Sequence, residues 1–332
     1  MSGYIQEETI YWLAGTGNPV VSYLVRRDFP GCFAGSPLSS YESMRSSAQV
    51  SRIADTAGVP GDSERYDLLY KGTAWAFAEL VSCGLDMNDA AVARAAEYLV
   101  ASSQTPAGGF SMNWAPPVEA AGWTGDILRY LLLAGYEGPA VHNAADWLIA
   151  HQRDDGGWLH SPLSTLGDVL GLVLFRRSGK GVARETDASA KSCLLATVSC
   201  GRALALYAQR FGGGLKAVET AAEFVLSGKK LLARSVHGGE GYMTNYRFDR
   251  LSYPVLCQQD LLSSLLFLAE AGKLGDKRAA RAFNIVMSKR RDDGIFSCES
   301  REPGTMQAKY GLKGEPADKW VTLQALRLMK HL

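Results

Sequence analysis

Glycine placement constrains the fold of this chain more than any other feature of its sequence. The 332 residues contain 35 glycines, yet most of the chain shows apolar residues three or four positions apart, the pattern of amphipathic helices. Because a glycine inside a helix costs about 1 kcal/mol, so many glycines should lie at helix ends. Four of them each follow an apolar helical window, where a left-handed helix cap is expected: Gly84, Gly135, Gly212 and Gly272.

A second glycine signal recurs after the following helix. It lies in segments 104–110, 152–158 and 290–296, and the first two are 48 residues apart, counted from Gly108 to Gly156. Two helices in each unit of about 50 residues are typical of stacked helical hairpins, which bury their apolar faces against their neighbours. With a partial unit at 11–31 and a terminal one at 320–332, the sequence predicts an all-α fold of about six hairpins.

Nine windows carry the helical period, and no window of similar length alternates with the period of a strand. In the window 123–134, for example, the apolar residues Trp123, Ile127 and Leu131 recur at helical spacing. We expect a single domain over 1–332, in which 1–60 forms a partial first repeat and a connecting segment. The predicted helices span 68–83, 91–103, 123–134, 140–151, 193–210, 215–227, 255–271, 278–289 and 320–331.

Charge and cysteine content argue against several classes of protein. The 35 basic and 34 acidic residues give a net charge of +1, without the basic excess typical of proteins that bind nucleic acid or anionic membranes. No apolar run reaches the roughly 18 residues of a membrane span, and the acidic N-terminus lacks the layout of a signal peptide. The six cysteines are separated and form no C-x-x-C pair, which indicates reduced thiols. A cytoplasmic protein is therefore expected.

One segment resembles a known repeat closely. Residues 147–158 read Trp-Leu-Ile-Ala-His-Gln-Arg-Asp-Asp-Gly-Gly-Trp and resemble the QW motif of the squalene–hopene cyclases, W-L-x3-Q-x3-G-x-W. Segment 98–110 repeats the motif with one extra residue, and 283–296 repeats it with Arg290 in place of the glutamine. The β subunits of protein prenyltransferases contain the same repeats.

Over residues 60–332 the chain therefore resembles the prenyltransferase/squalene-cyclase repeat superfamily, and its two ends resemble a branch of single-domain bacterial members. The resemblance implies an α/α toroid, a ring of helical hairpins around a lumen. Within the motif, Gln152 is expected to bond backbone groups at helix ends and Trp158 to pack over the junction between repeats. The aspartate pairs 154–155 and 292–293 are interpreted as turn residues.

Three signatures of the related enzymes are absent from the sequence. The chain has no Asp-x-Asp-Asp motif like that of the cyclases and no Asp-Asp-x-x-Asp motif like that of class I terpene synthases. It also has no Asp-x-Cys pair of the kind with which protein prenyltransferases bind zinc. These departures argue against ordinary triterpene cyclisation and against protein prenylation.

The candidate catalytic residues follow from the helix caps. Counting twelve residues back from the four capping glycines gives Gly72, Trp123, Cys200 and Asp260, expected equivalents near the start of successive inner helices. Asp260 is the first candidate for a general acid or base, because burial in a lumen would raise the pKa of its carboxyl group. Asp126 is the second. For both, the alternative is a structural aspartate that stabilises a helix N-terminus and pairs with an arginine.

The other candidates are expected to contact a ligand. Aromatic rings stabilise cationic intermediates, and the long segments 160–192, 234–252 and 297–319 should lie at one end of the toroid and carry binding residues. No cofactor is predicted, although a zinc site that includes Cys193 is the alternative considered. The predicted substrate-binding residues are Trp75, Trp123, Cys200, His237, Tyr253, Cys257 and Trp320.

Three functions stay open at this point. The first is an enzyme resembling terpene cyclases, a lyase or isomerase that acts on an apolar or isoprenoid-like small molecule through Asp260 or Asp126. The second is a carbohydrate-active α/α barrel, a hydrolase or lyase with two lumenal carboxylates about 5–10 Å apart. The third is a toroid that binds a ligand or peptide without catalysis.

Overall fold

The computed structural model describes residues 4–15, 17–55, 57, 72–112, 117–159, 191–233, 247–253, 259–299 and 315–332. Within these ranges the chain forms thirteen α-helices and no strand, which confirms the predicted all-α class. No helix of the described ranges is both long enough and apolar enough to cross a bilayer. The helices are α1 (Glu7–Ala14), α2 (Pro19–Asp28), α3 (Leu38–Arg45), α4 (Ala48–Ala54), α5 (Thr73–Ser82), α6 (Ala90–Ser103), α7 (Ala121–Ala134), α8 (Pro139–Ala150), α9 (Leu194–Phe211), α10 (Leu215–Leu226), α11 (Leu261–Glu270), α12 (Ala280–Met287) and α13 (Glu315–Met329).

The helices pack as hairpins. α5 contacts α6, α7 contacts α8, α9 contacts α10, and α11 contacts α12. The second helix of each hairpin buries only one face; in α6, for example, the buried residues Val92, Ala95 and Leu99 are three or four apart, as an amphipathic surface helix requires. By contrast, every residue from Thr73 to Val81 in α5 is buried, so the first helix is enclosed on all sides.

The enclosed helices follow one another in space. We call α2, α5, α7, α9, α11 and α13 the central helices; α5 contacts α7, α7 contacts α9, α9 contacts α11, α11 contacts α13, and α13 contacts α2. The end of α5 lies against α2, because a Cβ atom added to Gly84 would lie 2.7 Å from the ring of Tyr23 and 3.1 Å from Leu24. Neighbouring central helices therefore meet along the whole series.

The glycine caps are confirmed. Gly135 and Gly212 end α7 and α9 in the left-handed conformation, with φ angles of 81° and 79°, and Gly84 and Gly272 also have positive φ. Three helix starts lie five or six residues from the predicted position. α5 begins at Thr73, after its N-cap Gly72, instead of at 68. α11 begins only after Asp260, which caps it, and α13 begins at Glu315, because its polar first turn carries no apolar signal.

The glutamines of the QW-like segments join repeats, as expected. Gln104 Nε2 donates to the carbonyl oxygen of Gly108 at 2.9 Å and to that of Ala140 in α8 at 2.8 Å. Gln152 Nε2 donates in the same way to Gly156 and to Ala217 in α10, both at 2.9 Å. Each amide thus ties its own loop to the second helix of the next hairpin. Trp158 is fully buried, and its Nε1 donates to the carbonyl oxygen of Leu148 at 2.9 Å.

A threonine in each of three central helices sets the register of the repeat. It is the fourth residue of α7 and of α9 and the eighth of α13. The backbone N–H of the loop aromatic donates to a threonine Oγ1 in each case. The pairs are Phe110 with Thr124 at 2.8 Å, Trp158 with Thr197 at 3.2 Å, and Phe296 with Thr322 at 3.0 Å.

This register corrects the twelve-residue count. Gly72 and Asp260 are N-caps of α5 and α11, whereas Trp123 is the third residue of α7 and Cys200 the seventh of α9. The four residues are not equivalent, because α7 has 14 residues and α9 has 18. A count from the C-terminal caps therefore ends at different levels in helices of different length.

Candidate functional site

A small pocket, with about 20 Å³ of enclosed space, lies between α5 and α7 and is partly open to solvent. It brings together three residues that the sequence singled out: Trp75, Trp123 and Asp126. Its lining is mostly apolar and aromatic. The lining residues are Ala74, Trp75, Phe77, Ala78, Trp123, Asp126, Ile127 and Tyr130.

Helical spacing places the key side chains on two facing stripes. Trp75 and Ala78 are three apart in α5, and they pack with Tyr130 in a small cluster separate from the main core. Trp123, Asp126 and Tyr130 are three and four apart in α7, so they share one face of that helix. The aromatic rings therefore flank a single carboxyl group.

The polar groups of the cavity are few. Burial, followed by the nearby Asp126 carboxylate, raises the pKa of Tyr130, whose hydroxyl is hydrogen-bonded to Ser82. Tyr130 is therefore a neutral phenol at physiological pH. Trp123 is 8% exposed, and its Nε1 has no hydrogen-bond partner among the described residues. It is a buried donor whose hydrogen bond is not satisfied within the described residues.

Asp260 is placed as a helix cap. Its Oδ1 accepts hydrogen bonds from the Ser263 N–H at 2.8 Å and the Ser263 hydroxyl at 2.7 Å, and its Oδ2 accepts from the Ser252 N–H at 3.0 Å. Burial raises the pKa of Asp260, although these hydrogen bonds and the charge of Arg202 act in the opposite direction. Asp260 is not among the residues that line the cavity. Its geometry matches the structural alternative of an aspartate at a helix N-terminus.

Cys200 lies at the contact between α7 and α9. Its Sγ donates to the carbonyl oxygen of Ala121 at 3.2 Å, and a Cβ atom on Gly125 would lie only 2.8 Å from its backbone nitrogen. Burial first, and the Asp126 carboxylate second, raise the pKa of the Cys200 thiol well above its usual value. The thiol is therefore protonated and buried between two helices.

Tyr253 and Trp320 form a stacked pair, with ring centroids 4.4 Å apart and planes inclined by 10°. Both are buried, and neither the Tyr253 hydroxyl nor the Trp320 Nε1 has a hydrogen-bond partner in the described ranges. Burial, and then the carboxylate of Glu79, raise the pKa of Tyr253. The pair therefore lies within electrostatic reach of α5 but not in the cavity lining.

The sequence reasoning missed Glu79 and Tyr130. Glu79 is 1% exposed, and it is the sole charged residue in the apolar run 74–81. A single charged residue in an apolar helical run indicates a buried charge with a specific partner, because a charged side chain is rarely buried without one. Tyr130 lies four residues after Asp126, so helical spacing alone predicts that it shares the face of α7 that carries Trp123 and Asp126.

The sequence reasoning also missed a buried ion cluster. Glu270 at the end of α11 accepts from Arg129 Nη2 of α7 at 3.0 Å and from Arg202 Nη2 of α9 at 2.9 Å. Burial alone would raise the pKa of Glu270, but the two guanidinium groups outweigh it and lower the pKa to about 2. The cluster connects three central helices and has a net charge of +1.

Two predicted site residues, His237 and Cys257, lie outside the described residues, as does most of the long segments 160–192, 234–252 and 297–319. Within the described residues, no group of three or more histidines, cysteines and acidic residues is placed to hold a metal ion. Neither Cys193 nor Cys200 forms a disulfide bond with a described cysteine. The zinc alternative stays a prediction.

Comparison of the chain with known proteins finds no matching family model and no matching curated protein.

Proposed function

We propose that the protein is a small-molecule enzyme that moves a proton on an apolar or isoprenoid-like substrate held between α5 and α7. One observation carries the proposal: Asp126 lies in the same cavity as Trp75, Trp123 and Tyr130. A carboxyl group surrounded by aromatic faces suits a reaction with a short-lived carbocation, because the acid supplies the proton and the rings stabilise the positive charge.

We also propose the α/α toroid of the prenyltransferase/squalene-cyclase repeat as the architecture. Contacts between the two ends of the chain support a closed ring. Arg327 of α13 pairs with Asp28 of α2 at 2.7 Å, Lys319 Nζ donates to the carbonyl oxygen of Trp12 at 3.0 Å, and Thr9 Oγ1 donates to the carbonyl oxygen of Asp293 at 3.4 Å. In an open solenoid the first and last units would be far apart.

The simplest reaction is an alkene isomerisation. The Asp126 carboxyl group donates its proton to one alkene carbon, which leaves a carbocation on the other. The Asp126 carboxylate then removes a proton from a carbon next to the cation, the C–H electrons form the new double bond, and the carboxyl group is restored. No oxidant or second substrate is needed, and the product differs from the substrate only in the position of the double bond.

Asp126 suits this role better than Asp260. Asp260 caps α11 through Ser263 and also accepts from the Ser252 N–H, and it is not among the lining residues, which include Asp126. The described lining contains one carboxyl group, and a carbohydrate-active site needs two. The proposal therefore favours the apolar substrate.

The test uses solvent deuterium. The protein is incubated in deuterium oxide with a panel of acyclic and monocyclic terpene hydrocarbons and alcohols, and deuterium in C–H bonds is measured by mass spectrometry. We expect wild type to label at least one compound and Asp126→Asn to lose the activity by about 100-fold or more. Asp146→Asn, at an exposed position of α8, is the matched control and should label like wild type.

Two results would contradict the proposal. Equal labelling by Asp126→Asn and wild type would remove Asp126 from the reaction. A compound that binds in the cavity without any labelling would instead support a toroid that binds its ligand without catalysis.

A further inference from the structure

Four arginines recur at the same step of the repeat. In each of four central helices, a serine or threonine is followed five residues later by an arginine. The hydroxyls anchor the register, since Ser22 Oγ donates to the carbonyl oxygen of Ala14 at 2.8 Å and the three threonines accept from the loop aromatics. The pairs are Ser22 and Arg27, Thr124 and Arg129, Thr197 and Arg202, and Thr322 and Arg327. We call the four arginines the arginine layer.

Two carboxylates are shared among the four arginines. Glu270 bridges Arg129 and Arg202 through both of its oxygens, with distances of 2.9–3.4 Å. Asp28 bridges Arg27 at 3.0 Å and Arg327 at 2.7 Å. Each carboxylate thus pairs with two guanidinium groups from two different helices. Each group of one carboxylate and two arginines has a net charge of +1.

Three of the four arginine side chains are at most 25% exposed, whereas the Arg27 side chain is 43% exposed. The Arg129 and Arg202 side chains are 17% and 13% exposed. Burial, followed by repulsion from Arg202, lowers the pKa of Arg129; burial also lowers the pKa of Arg327, although Asp28 acts in the opposite direction and Arg27 and Arg202 add to the lowering. The other titratable groups near Arg202 are Tyr130 and Asp260, and Asp260 is itself occupied by three hydrogen bonds.

Hydrogen-bond donors remain in this layer. Arg129 Nε and Arg202 Nη1 make no hydrogen bond to any described residue, while the other nitrogens of these two groups bind Glu270 or the Arg202 carbonyl oxygen. Arg129 directly precedes Tyr130, which lines the cavity. Arg129 and Arg202 are not themselves among the lining residues.

We propose that the arginine layer is an anion-binding site that takes a carboxylate or phosphate group of the ligand whose apolar part occupies the cavity. The choice of ligand rests on the proposed function, whereas the anion site itself does not. Guanidinium groups suit this chemistry because their planar donors match the oxygens of carboxylates and phosphates. A bound anion also offsets the surplus charge that the buried arginines share.

Isothermal titration calorimetry with inorganic phosphate, and in a second arm with acetate, tests the site at constant ionic strength. We expect wild type to bind one anion per chain, and Arg202→Gln to bind at least 10-fold more weakly. Arg202→Lys, which keeps the charge but loses the planar donors, should be intermediate. Arg278→Gln is the matched control, because Arg278 also pairs with two carboxylates, Glu223 and Asp276, but at an exposed position; it should bind like wild type.

If Arg202→Gln does not fold, Arg27→Gln takes its place, since that side chain is 43% exposed. The proposal is overturned if wild type shows no saturable binding tighter than about 1 mM, or if the folded layer variants bind like wild type; the cluster is then a structural ion network only. Asp126→Asn separates the two proposals, because it should abolish deuterium labelling and still bind phosphate.

Discussion

Replacing Gly125 with alanine should destabilise the protein by about 1–3 kcal/mol, the usual cost of forcing an extra carbon into a packed interior. α7 and α9 cross at this glycine, where a new Cβ atom would lie 2.8 Å from the backbone nitrogen of Cys200, 2.9 Å from its Cα and 3.0 Å from the carbonyl carbon of Ser199. All three atoms belong to helix backbone. One helix must therefore shift as a unit, because no side chain can rotate away.

Gly122, one turn earlier in α7, is the matched control. A Cβ atom there would lie 3.5 Å from the Cβ of Ala196, an ordinary contact. Gly122→Ala should thus be neutral or stabilising by up to about 1 kcal/mol, the helix-propensity difference between the two residues. The same propensity gain applies to Gly125→Ala, so the difference between the variants isolates the contact between α7 and α9.

Urea unfolding followed by far-UV circular dichroism measures both variants. We expect the midpoint of Gly125→Ala to fall below those of wild type and Gly122→Ala, with an unchanged slope. A Gly125→Ala protein as stable as Gly122→Ala would refute the close packing of α7 on α9.

Two further predictions follow from the repeat contacts and the ion cluster. Gln152→Ala should cost about 1–3 kcal/mol in urea unfolding, because it leaves carbonyl groups without their amide donor, whereas Asp154→Ala, at an exposed position of the same loop, should cost almost nothing. Glu270 should make the stability of the fold sensitive to acid, because folding lowers its pKa from 4.5 to about 2. The contribution of Glu270 to the free energy of unfolding is complete above pH 4.5 and is lost as the pH falls toward 2. The loss should approach about 3 kcal/mol, and Glu270→Gln should show a flatter pH dependence over that range; equal profiles would contradict the assigned pairing.

Much of the fold was predictable because local chemistry determines it. Glycine caps such as Gly135 report a positive φ angle directly, and the amphipathic period reports which helices have one buried face. The role of the glutamine in the QW-like segments was predictable because its long amide side chain can bond backbone groups at helix ends. Gln152 donates to backbone carbonyl oxygens as expected. These features depend on a few neighbouring residues.

The site was less predictable because long-range contacts determine it. The level of a residue in the repeat depends on where its helix starts, and hydrogen bonds such as that from the Phe110 N–H to Thr124 Oγ1 set that start. A count of residues from the far end of the helix does not. Which arginine Glu270 binds depends on three helices brought together by packing. Asp260 was correctly given a structural alternative, yet only the serine donors around it show how completely its oxygens are used.

A substrate site between α5 and α7 is tested most directly by a crystal structure of Asp126→Asn with the terpene that wild type labels with deuterium. We expect electron density for the terpene between Trp75 and Trp123, with a reacting carbon next to residue 126. Density elsewhere in the protein, with the cavity between α5 and α7 empty, would contradict this site.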